Sequence, residues 1–167
     1  FLTENGRFLA RVQGPVSGNV LLRREQYRRA DSPEVSAEVA RSIISAKIIN
    51  ARRVVQRALR DHGGKIDGTA LDNEASHLKD CLQRLQHPVG LDVARGIEGE
   101  AANGYFGVFD HLILSGEPEF RFMGRSRRPP LDRVNCLLSF IYTLLAHDVR
   151  SALECVGLDS EVGFLHR

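Results

Sequence analysis

The sequence predicts a mainly α-helical protein, in which a helical domain with four main helices follows a remnant of an N-terminal β domain. From Asp31 onward, apolar residues recur at helical spacing behind good capping residues. Residues 1–30 instead show short apolar runs separated by turn residues. The composition, 43% hydrophobic and 26% charged, is that of a globular protein. No apolar run approaches the roughly 18 residues of a membrane helix, so we expect no membrane association.

Residues 1–30 are predicted to be a partial N-terminal β domain made of a hairpin and a strand. Asn5-Gly6 lies between two short β-type runs, which is a strong hairpin signal. Gly14-Pro15 and Gly18-Asn19 then mark turns before a predicted strand at Val20-Leu21-Leu22. The chain starts at Phe1 inside a strand-like pattern, so we expect the natural protein to begin earlier. No signal peptide is visible, and we expect a cytoplasmic protein.

Residues 31–167 are predicted to form an α-helical catalytic domain that lacks its C-terminal end. Ser32-Pro33-Glu34 offers a capping hydroxyl, a proline for the first turn and an acid, so the first helix should run from there to His62. Its apolar middle, residues 43–51, should be central to the core. The other helices are predicted at about 69–86, 90–114 and 132–155.

The three cysteines, Cys81, Cys136 and Cys155, are predicted to be free buried thiols. None has the Cys-x-x-Cys spacing of zinc or redox motifs. Each lies in a predicted helix among apolar neighbours, which is typical of structural cysteines in a reducing cytosol.

The positive charge is carried almost entirely by arginine. Lysine occurs only at positions 47, 65 and 79, among 23 basic residues. A GC-rich genome would explain this preference, and so would phosphate binding, because guanidinium groups match phosphate oxygens. Three clusters at modest net charge favour local contact with nucleic acid over a general basic coat. They lie at positions 23, 24, 28 and 29, at 52, 53, 57 and 60, and at 121, 125, 127 and 128.

Glu98 and His166 are the candidates for chemistry. Glu98 lies at the edge of an apolar helix face, with small side chains one turn away and glycine on either side, so a ligand has room beside it. A solvated glutamate at the boundary of that face is the alternative. His166 follows Gly163-Phe164-Leu165 in an apolar loop, where a lone histidine is more often structural than a ligand. Glu100 should face elsewhere as ordinary surface, and the remaining histidines show no metal-type spacing.

Further polar residues are candidates for DNA contact. Lys47 and Asn50 share one helix face within an apolar stretch, and Asn135 and Tyr142 lie near the start of the last helix. Snorkelling and interhelical hydrogen bonds would explain them without any ligand. The loop from Gly124 to Pro130 is basic and stiffened by prolines, which suits a phosphate backbone, a stacked base or plain solvent. Its basic members are Arg125, Arg127 and Arg128.

These motifs keep a recognisable order along essentially the whole chain. In sequence they are Lys47-Ile48-Ile49-Asn50, Arg95 to Ala102, Tyr105-Phe106, Gly124 to Asp132, Asn135, Leu137 to Phe140, Tyr142 and Gly163 to His166. Together they resemble the CRISPR-associated adaptation endonuclease and integrase family, Cas1, and in particular its subtype I-C branch. The individual motifs are weak, whereas their combination is specific.

The resemblance implies a protein that inserts spacer DNA into a CRISPR array, in the adaptation stage of antiviral defence. It implies a homodimer that acts on double-stranded or branched DNA together with a small partner, Cas2. It also implies a Mg²⁺ or Mn²⁺ site with Glu98 and His166 as catalytic metal ligands. The third ligand of the family, an aspartate, would lie beyond Arg167, so this chain should hold a partial site and be inactive alone. The alternative is a helical DNA-binding or dimerisation scaffold without catalysis.

Overall fold

The computed structural model describes residues 1, 3–4, 9–10, 12, 19–64 and 66–166. Helices account for most of this part of the chain, and no strand occurs in it. The fold is therefore mainly α-helical, as predicted. The helices are α1 (Val20–Asp31), α2 (Pro33–His62), α3 (Gly68–Arg84), α4 (Leu91–Gly107) and α5 (Arg133–Cys155), with short 3-10 turns at Phe109–Leu112 and Pro118–Phe120.

Helix α1 was not predicted, and it replaces the strand expected at Val20-Leu21-Leu22. The Asn19 side chain accepts a hydrogen bond from the Leu22 amide at 3.2 Å and caps the first turn. The strand prediction is wrong because a three-residue apolar run has no period that separates a strand from a helical turn. The hairpin at Asn5-Gly6 and the turn at Gly14-Pro15 lie outside the described residues. The division of the chain at residue 30 stays a prediction.

Helix α2 begins and ends where the sequence predicts. Ser32 accepts a hydrogen bond from the Val35 amide at 3.4 Å, and Pro33 occupies the first turn. Its apolar middle is less central than expected. Ile44 is only 3% exposed, whereas Ile43 beside it is 63% exposed, because α3 and α4 cover one side of the helix.

The main core lies between α2, α3 and α4. The predicted stripe on α3 is confirmed, since its residues at alternating spacings of four and three face the interior. Leu78 and Leu85 are buried in the main core with Leu82 packed against it, and Leu71 and Ala75 are buried in a second cluster with Val55. Helix α4 contributes Ala94, Ile97 and Ala101.

Helix α4 ends earlier than predicted, at Gly107 instead of near Leu114. A cluster of aromatic rings follows this end. Phe106 and Phe109 contact Phe122 with ring centroids 6.0 and 5.0 Å away, and Phe122 is buried. The Phe122 amide also donates to the Asp110 carboxylate at 2.6 Å. These contacts hold the segment before the basic loop against the end of α4.

Helix α5 has few neighbours in the described part of the chain. Asp132 caps it as predicted, and only Val134 and Asn135 are buried along its length. Length and composition alone would let α5 cross a membrane, so the expected lack of a membrane stays a prediction. Cys136 and Cys155 lie on α5 and are exposed, contrary to prediction, whereas Cys81 is buried as expected. The other exposed apolar residues of α5 include Leu137, Phe140, Ile141, Leu144 and Leu145.

The turn after α5 is fastened to α1. The Gln26 amide group donates to the Asp159 carbonyl and accepts from the Asp159 amide, both at 2.8 Å. Gln26 is only 7% exposed, so burial excludes water from this paired contact. The Arg23 guanidinium adds a hydrogen bond to the Gly157 carbonyl at 3.1 Å. The C-terminal segment therefore leaves α5 in a defined direction.

Candidate functional site

Glu98 lies on the side of α4 that faces α2. Its side chain is 21% exposed and accepts a hydrogen bond from the Lys47 ammonium of α2, forming an ion pair. Ile97 and Ala101 of α4 are buried against the core, which fixes the rotation of the helix. The sequence prediction of a carboxylate at the edge of a buried face is confirmed.

A cleft of about 250 Å³ opens beside this ion pair. It brings together four polar residues that the sequence singled out separately: Lys47, Asn50, Glu98 and Tyr142. Most of its remaining wall is apolar, so a charge at Glu98 is less screened than one in open solvent. The other lining residues are Ile48, Ala51, Val54, Leu78, Ala101, Ala102, Tyr105 and Phe106.

Tyr105 contributes a second phenol to the cleft. Burial raises the pKa of its hydroxyl, and the nearby Tyr142 raises it further. Tyr105 therefore stays neutral at ordinary pH and can donate a hydrogen bond, but it cannot serve as a general base.

The segment that carries His166 returns to α4. The Arg95 guanidinium donates to the Leu165 carbonyl at 2.9 Å, and Leu165 packs against the main core. Arg95 precedes Glu98 by three residues and so lies on the same side of the helix. His166 itself is exposed. The structure thus places the backbone next to His166 about one helical turn from Glu98.

Asn135 organises the basic loop from inside. It is fully buried, its amide nitrogen donates to the Gly124 carbonyl at 2.8 Å, and its amide oxygen accepts from the Ser126 amide at 3.0 Å. Asp132 receives a further hydrogen bond from the same side chain at 2.6 Å. No surface of Asn135 is left for DNA in this conformation, so its predicted role in binding would act through the loop.

Arg125 links this loop to the cleft. Its guanidinium donates to the Asn135 amide oxygen at 2.8 Å and lies over the Tyr142 ring, 5.5 Å from the centroid. Its Nε atom is buried without a hydrogen-bond partner. Arg127 and Arg128 are exposed, and neither forms an ion pair with a described residue. The loop therefore presents two available guanidinium groups beside a third that is held in place.

Sequence reasoning missed a second group of polar residues on α3 and α4. Glu100 was expected to be ordinary surface, yet it accepts a hydrogen bond from Arg84 at 2.7 Å and lies 3.1 Å from the His77 Nε2 atom. Cys81 lies beside them. The spacing of four residues between His77 and Cys81 places both on one helix face, and this was the available signal.

Comparison with known proteins identifies the family. A model of the family described as CRISPR associated protein Cas1 matches residues 1–167. The chain belongs to the Cas1 family. The CRISPR-associated endonuclease Cas1 1 of Chlorobaculum tepidum is 59% identical over the whole chain, and Cas1 2 of Rhodospirillum rubrum is 55% identical over 99% of it. This Cas1-family chain covers 49% and 48% of those proteins, about half of their length.

Solved structures show the same fold in larger assemblies. A chain of a structure titled "Partial Cas6-RT-Cas1--Cas2 complex" superimposes with a TM-score of 0.76 at 27% identity, covering 97% of this chain and 47% of that one. A chain of a "Cas6-RT-Cas1--Cas2 complex" gives a TM-score of 0.78 at 26% identity, covering 97% of this chain and 17% of that one. The described helices of this Cas1-family chain therefore have counterparts in those complexes.

Proposed function

We propose that this chain is part of a metal-dependent DNA endonuclease and integrase that inserts spacer DNA into a CRISPR array. The observation that carries the proposal is the Glu98 carboxylate in the cleft between α2 and α4, paired with the Lys47 ammonium. Membership of a family whose relatives are named endonucleases supports the same reading.

The donor atoms around the cleft fit a divalent cation. Glu98 offers a carboxylate oxygen, which Mg²⁺ and Mn²⁺ prefer, and His166 offers an imidazole nitrogen from the adjoining segment. The Lys47 ammonium already lies at that carboxylate as a cation, which supports a position that favours positive charge. A bound cation would neutralise charge on the phosphodiester oxygens and favour deprotonation of the attacking hydroxyl or water. Such a cation needs about six ligands, so two protein ligands hold it weakly.

The basic loop would hold the DNA backbone next to the cleft. Arg127 and Arg128 are exposed and can form forked hydrogen bonds to phosphate oxygens. Arg125 is fixed by Asn135 and Tyr142 and would orient the loop towards the strand. Lys47 can leave Glu98 for a phosphate when a metal ion takes the carboxylate. These contacts position DNA without reading its sequence.

The partners of the longer protein follow from the same assignment. We infer a homodimer that works with Cas2 in the cytoplasm, supported by solved structures whose titles name Cas1 and Cas2 together. The exposed apolar residues of α5 offer a surface for such subunit contacts.

The test replaces Glu98 in a protein of the relatives' full length that carries this sequence. Glu98→Gln keeps the shape of the side chain and removes the charge, so cleavage of branched DNA and strand transfer should fall to background with Mn²⁺ or Mg²⁺. Glu38→Gln, an exposed glutamate of α2, is the matched control and should retain activity. Retained activity in Glu98→Gln would refute the assignment.

For this chain alone we propose DNA binding without catalysis. The described residues bring one carboxylate and no second acidic group into the cleft, whereas the basic loop is complete. A labelled duplex with Mn²⁺ should be bound by the 167-residue chain without being cut. Cleavage by the chain alone would contradict this proposal, and a flat binding isotherm at low salt would favour a pure dimerisation role.

A further inference from the structure

His77, Cys81 and Glu100 form a compact cluster on the side of α4 opposite to Glu98. His77 and Cys81 lie one turn apart on α3, and Glu100 reaches them from α4. The His77 Nε2 atom lies 3.1 Å from Glu100 Oε1 and 3.6 Å from Cys81 Sγ, and Sγ lies 4.0 Å from Oε1. Three different donor types therefore converge on one point at the boundary of the core.

These separations match the edges of a zinc tetrahedron. Donors held about 2.0 to 2.3 Å from a tetrahedral zinc ion lie about 3.3 to 3.6 Å from one another. The two edges at Nε2 differ from these values by a few tenths of an ångström, and the edge between sulfur and oxygen is about half an ångström longer. The Glu100 side chain is 43% exposed and so has room to rotate, and a small rotation would shorten that edge.

Neighbouring residues contact two of the three donors, the histidine and the glutamate, on the side away from the cluster. The Glu74 carboxylate lies 3.2 Å from His77 Nδ1, so it can hold the ring proton on Nδ1 when a metal ion takes Nε2, which faces Cys81 and Glu100. The Arg84 guanidinium binds Glu100 Oε2 at 2.7 Å and leaves Oε1 towards the cluster. Metal-binding histidines commonly have such a carboxylate behind them.

Gly104 of α4 makes room for Glu74. A β-carbon at Gly104 would lie 2.5 Å from one Glu74 carboxylate oxygen and 2.6 Å from the other. The Glu74 side chain is only 8% exposed, so the carboxylate occupies a fitted place in the interior. Burying a carboxylate costs free energy unless a partner compensates its charge, and His77 is the partner here.

We propose that His77, Cys81 and Glu100 bind a Zn²⁺ ion, with water as the fourth ligand. Thiolate and imidazole donors select zinc over Mg²⁺, so this site differs in metal as well as in position from the one at Glu98. On binding, the Cys81 thiol gives up its proton to solvent, because thiolate is the metal ligand. The ion would join α3 to α4 behind the candidate active site.

The first test uses Co²⁺ as a spectroscopic substitute for zinc. The 167-residue chain with Cys136→Ser and Cys155→Ser retains Cys81 as its single thiol, since both replaced cysteines are exposed. One equivalent of Co²⁺ should produce a thiolate-to-cobalt charge-transfer band that Zn²⁺ abolishes. Cys81→Ser should remove the band, and Glu100→Gln and His77→Gln should each weaken zinc affinity at least about ten-fold. His147→Gln on α5 is the histidine control and should change nothing.

A second measurement does not depend on whether the variants fold. X-ray absorption of the zinc-loaded parent should show one sulfur in a four-coordinate shell. A shell of nitrogen and oxygen alone, or a folded parent without the cobalt band, would overturn the proposal. Glu98→Gln should keep the cobalt band, so zinc binding here and DNA cleavage at Glu98 are tested separately.

Discussion

The two sides of helix α4 carry two acidic residues that differ in how many neighbouring side chains hold them in place. Glu98 faces α2 and an open cleft, and its one charged partner within the described part of the chain is Lys47, which is 53% exposed. Glu100 faces α3 and is held by Arg84 and His77 within hydrogen-bond distance. Two residues along one helix thus separate a site that needs further ligands from one assembled between two helices. How firmly a side chain is held depends on how many residues pack around its helix face. On the cleft side of α4, helix α5 contributes few such residues.

The largest predicted effect separates the two glutamates by activity. In a protein of the relatives' full length, Glu98→Gln should lower the rate of DNA cleavage at least about 100-fold, because the proposed ligand of the catalytic metal would be lost. Glu100→Gln should leave the rate within about three-fold, because its contacts lie on the opposite face. Single-turnover cleavage of a branched substrate measures both. Equal losses would show that the two faces act as one site.

The second largest predicted effect is a loss of zinc affinity when the Glu74 carboxylate is displaced from His77. In Gly104→Ala the added carbon displaces the Glu74 carboxylate, and the zinc affinity should fall about ten-fold or more, as for other groups that orient a metal ligand. Gly99→Ala is the matched control on the same helix, since its β-carbon would meet nothing within 4 Å. Competition with a chromophoric chelator measures the affinities. An unchanged affinity in Gly104→Ala would mean that Glu74 does not orient His77.

Zinc should also stabilise the chain. At a free concentration 100 times the Kd, an ion that binds only the folded state adds about 2.7 kcal/mol to the free energy of unfolding. The thermal midpoint of the parent should rise on zinc addition, and that of Cys81→Ser should not. Mg²⁺ at the same concentration should leave both unchanged, because the cluster offers a thiol and an imidazole. A rise with Mg²⁺ equal to that with zinc would contradict the assignment.

The smallest predicted effect concerns the Lys47 ammonium that is paired with Glu98. Lys47→Met removes an ammonium that competes with a metal for the carboxylate, and an exposed ion pair is worth up to about 1 kcal/mol, so Mn²⁺ affinity should rise at most about five-fold. Lys79→Met, an exposed lysine of α3, is the control. Titration calorimetry measures both. A fall in Mn²⁺ affinity would place Lys47 in a supporting role instead.

Local signals predicted the elements that have strong caps. Ser32 and Pro33 marked the start of α2, and Asp132 marked that of α5, because capping acts within one turn. Helix α1 was missed because its first turn is a short apolar run behind turn residues. The exposure of Cys136 could not be inferred, since burial depends on what packs against α5.

The difference between local signals and tertiary packing also explains which site residues could be predicted from the sequence. Glu98 was predicted because its helix face, its small neighbours and the motif order are all local to the sequence. The cluster at Glu100 required the relative rotation of α3 and α4, which packing of residues such as Leu78 and Ile97 determines. Asn135 was identified as important, but its burial under the loop and its hydrogen bonds to Gly124 and Ser126 depend on the tertiary structure.

Two sets of hydrogen bonds anchor the segment after α5, one to α1 and the other to α4. One anchor is the paired contact between Gln26 and Asp159, and the other is the hydrogen bond from Arg95 to Leu165. His166 comes immediately after the second anchor. Because the segment is held at α1 and at α4, we expect a tilt of α1 relative to α4 to shift the backbone next to His166. Helix α1 would then be coupled to the position of the proposed metal ligand.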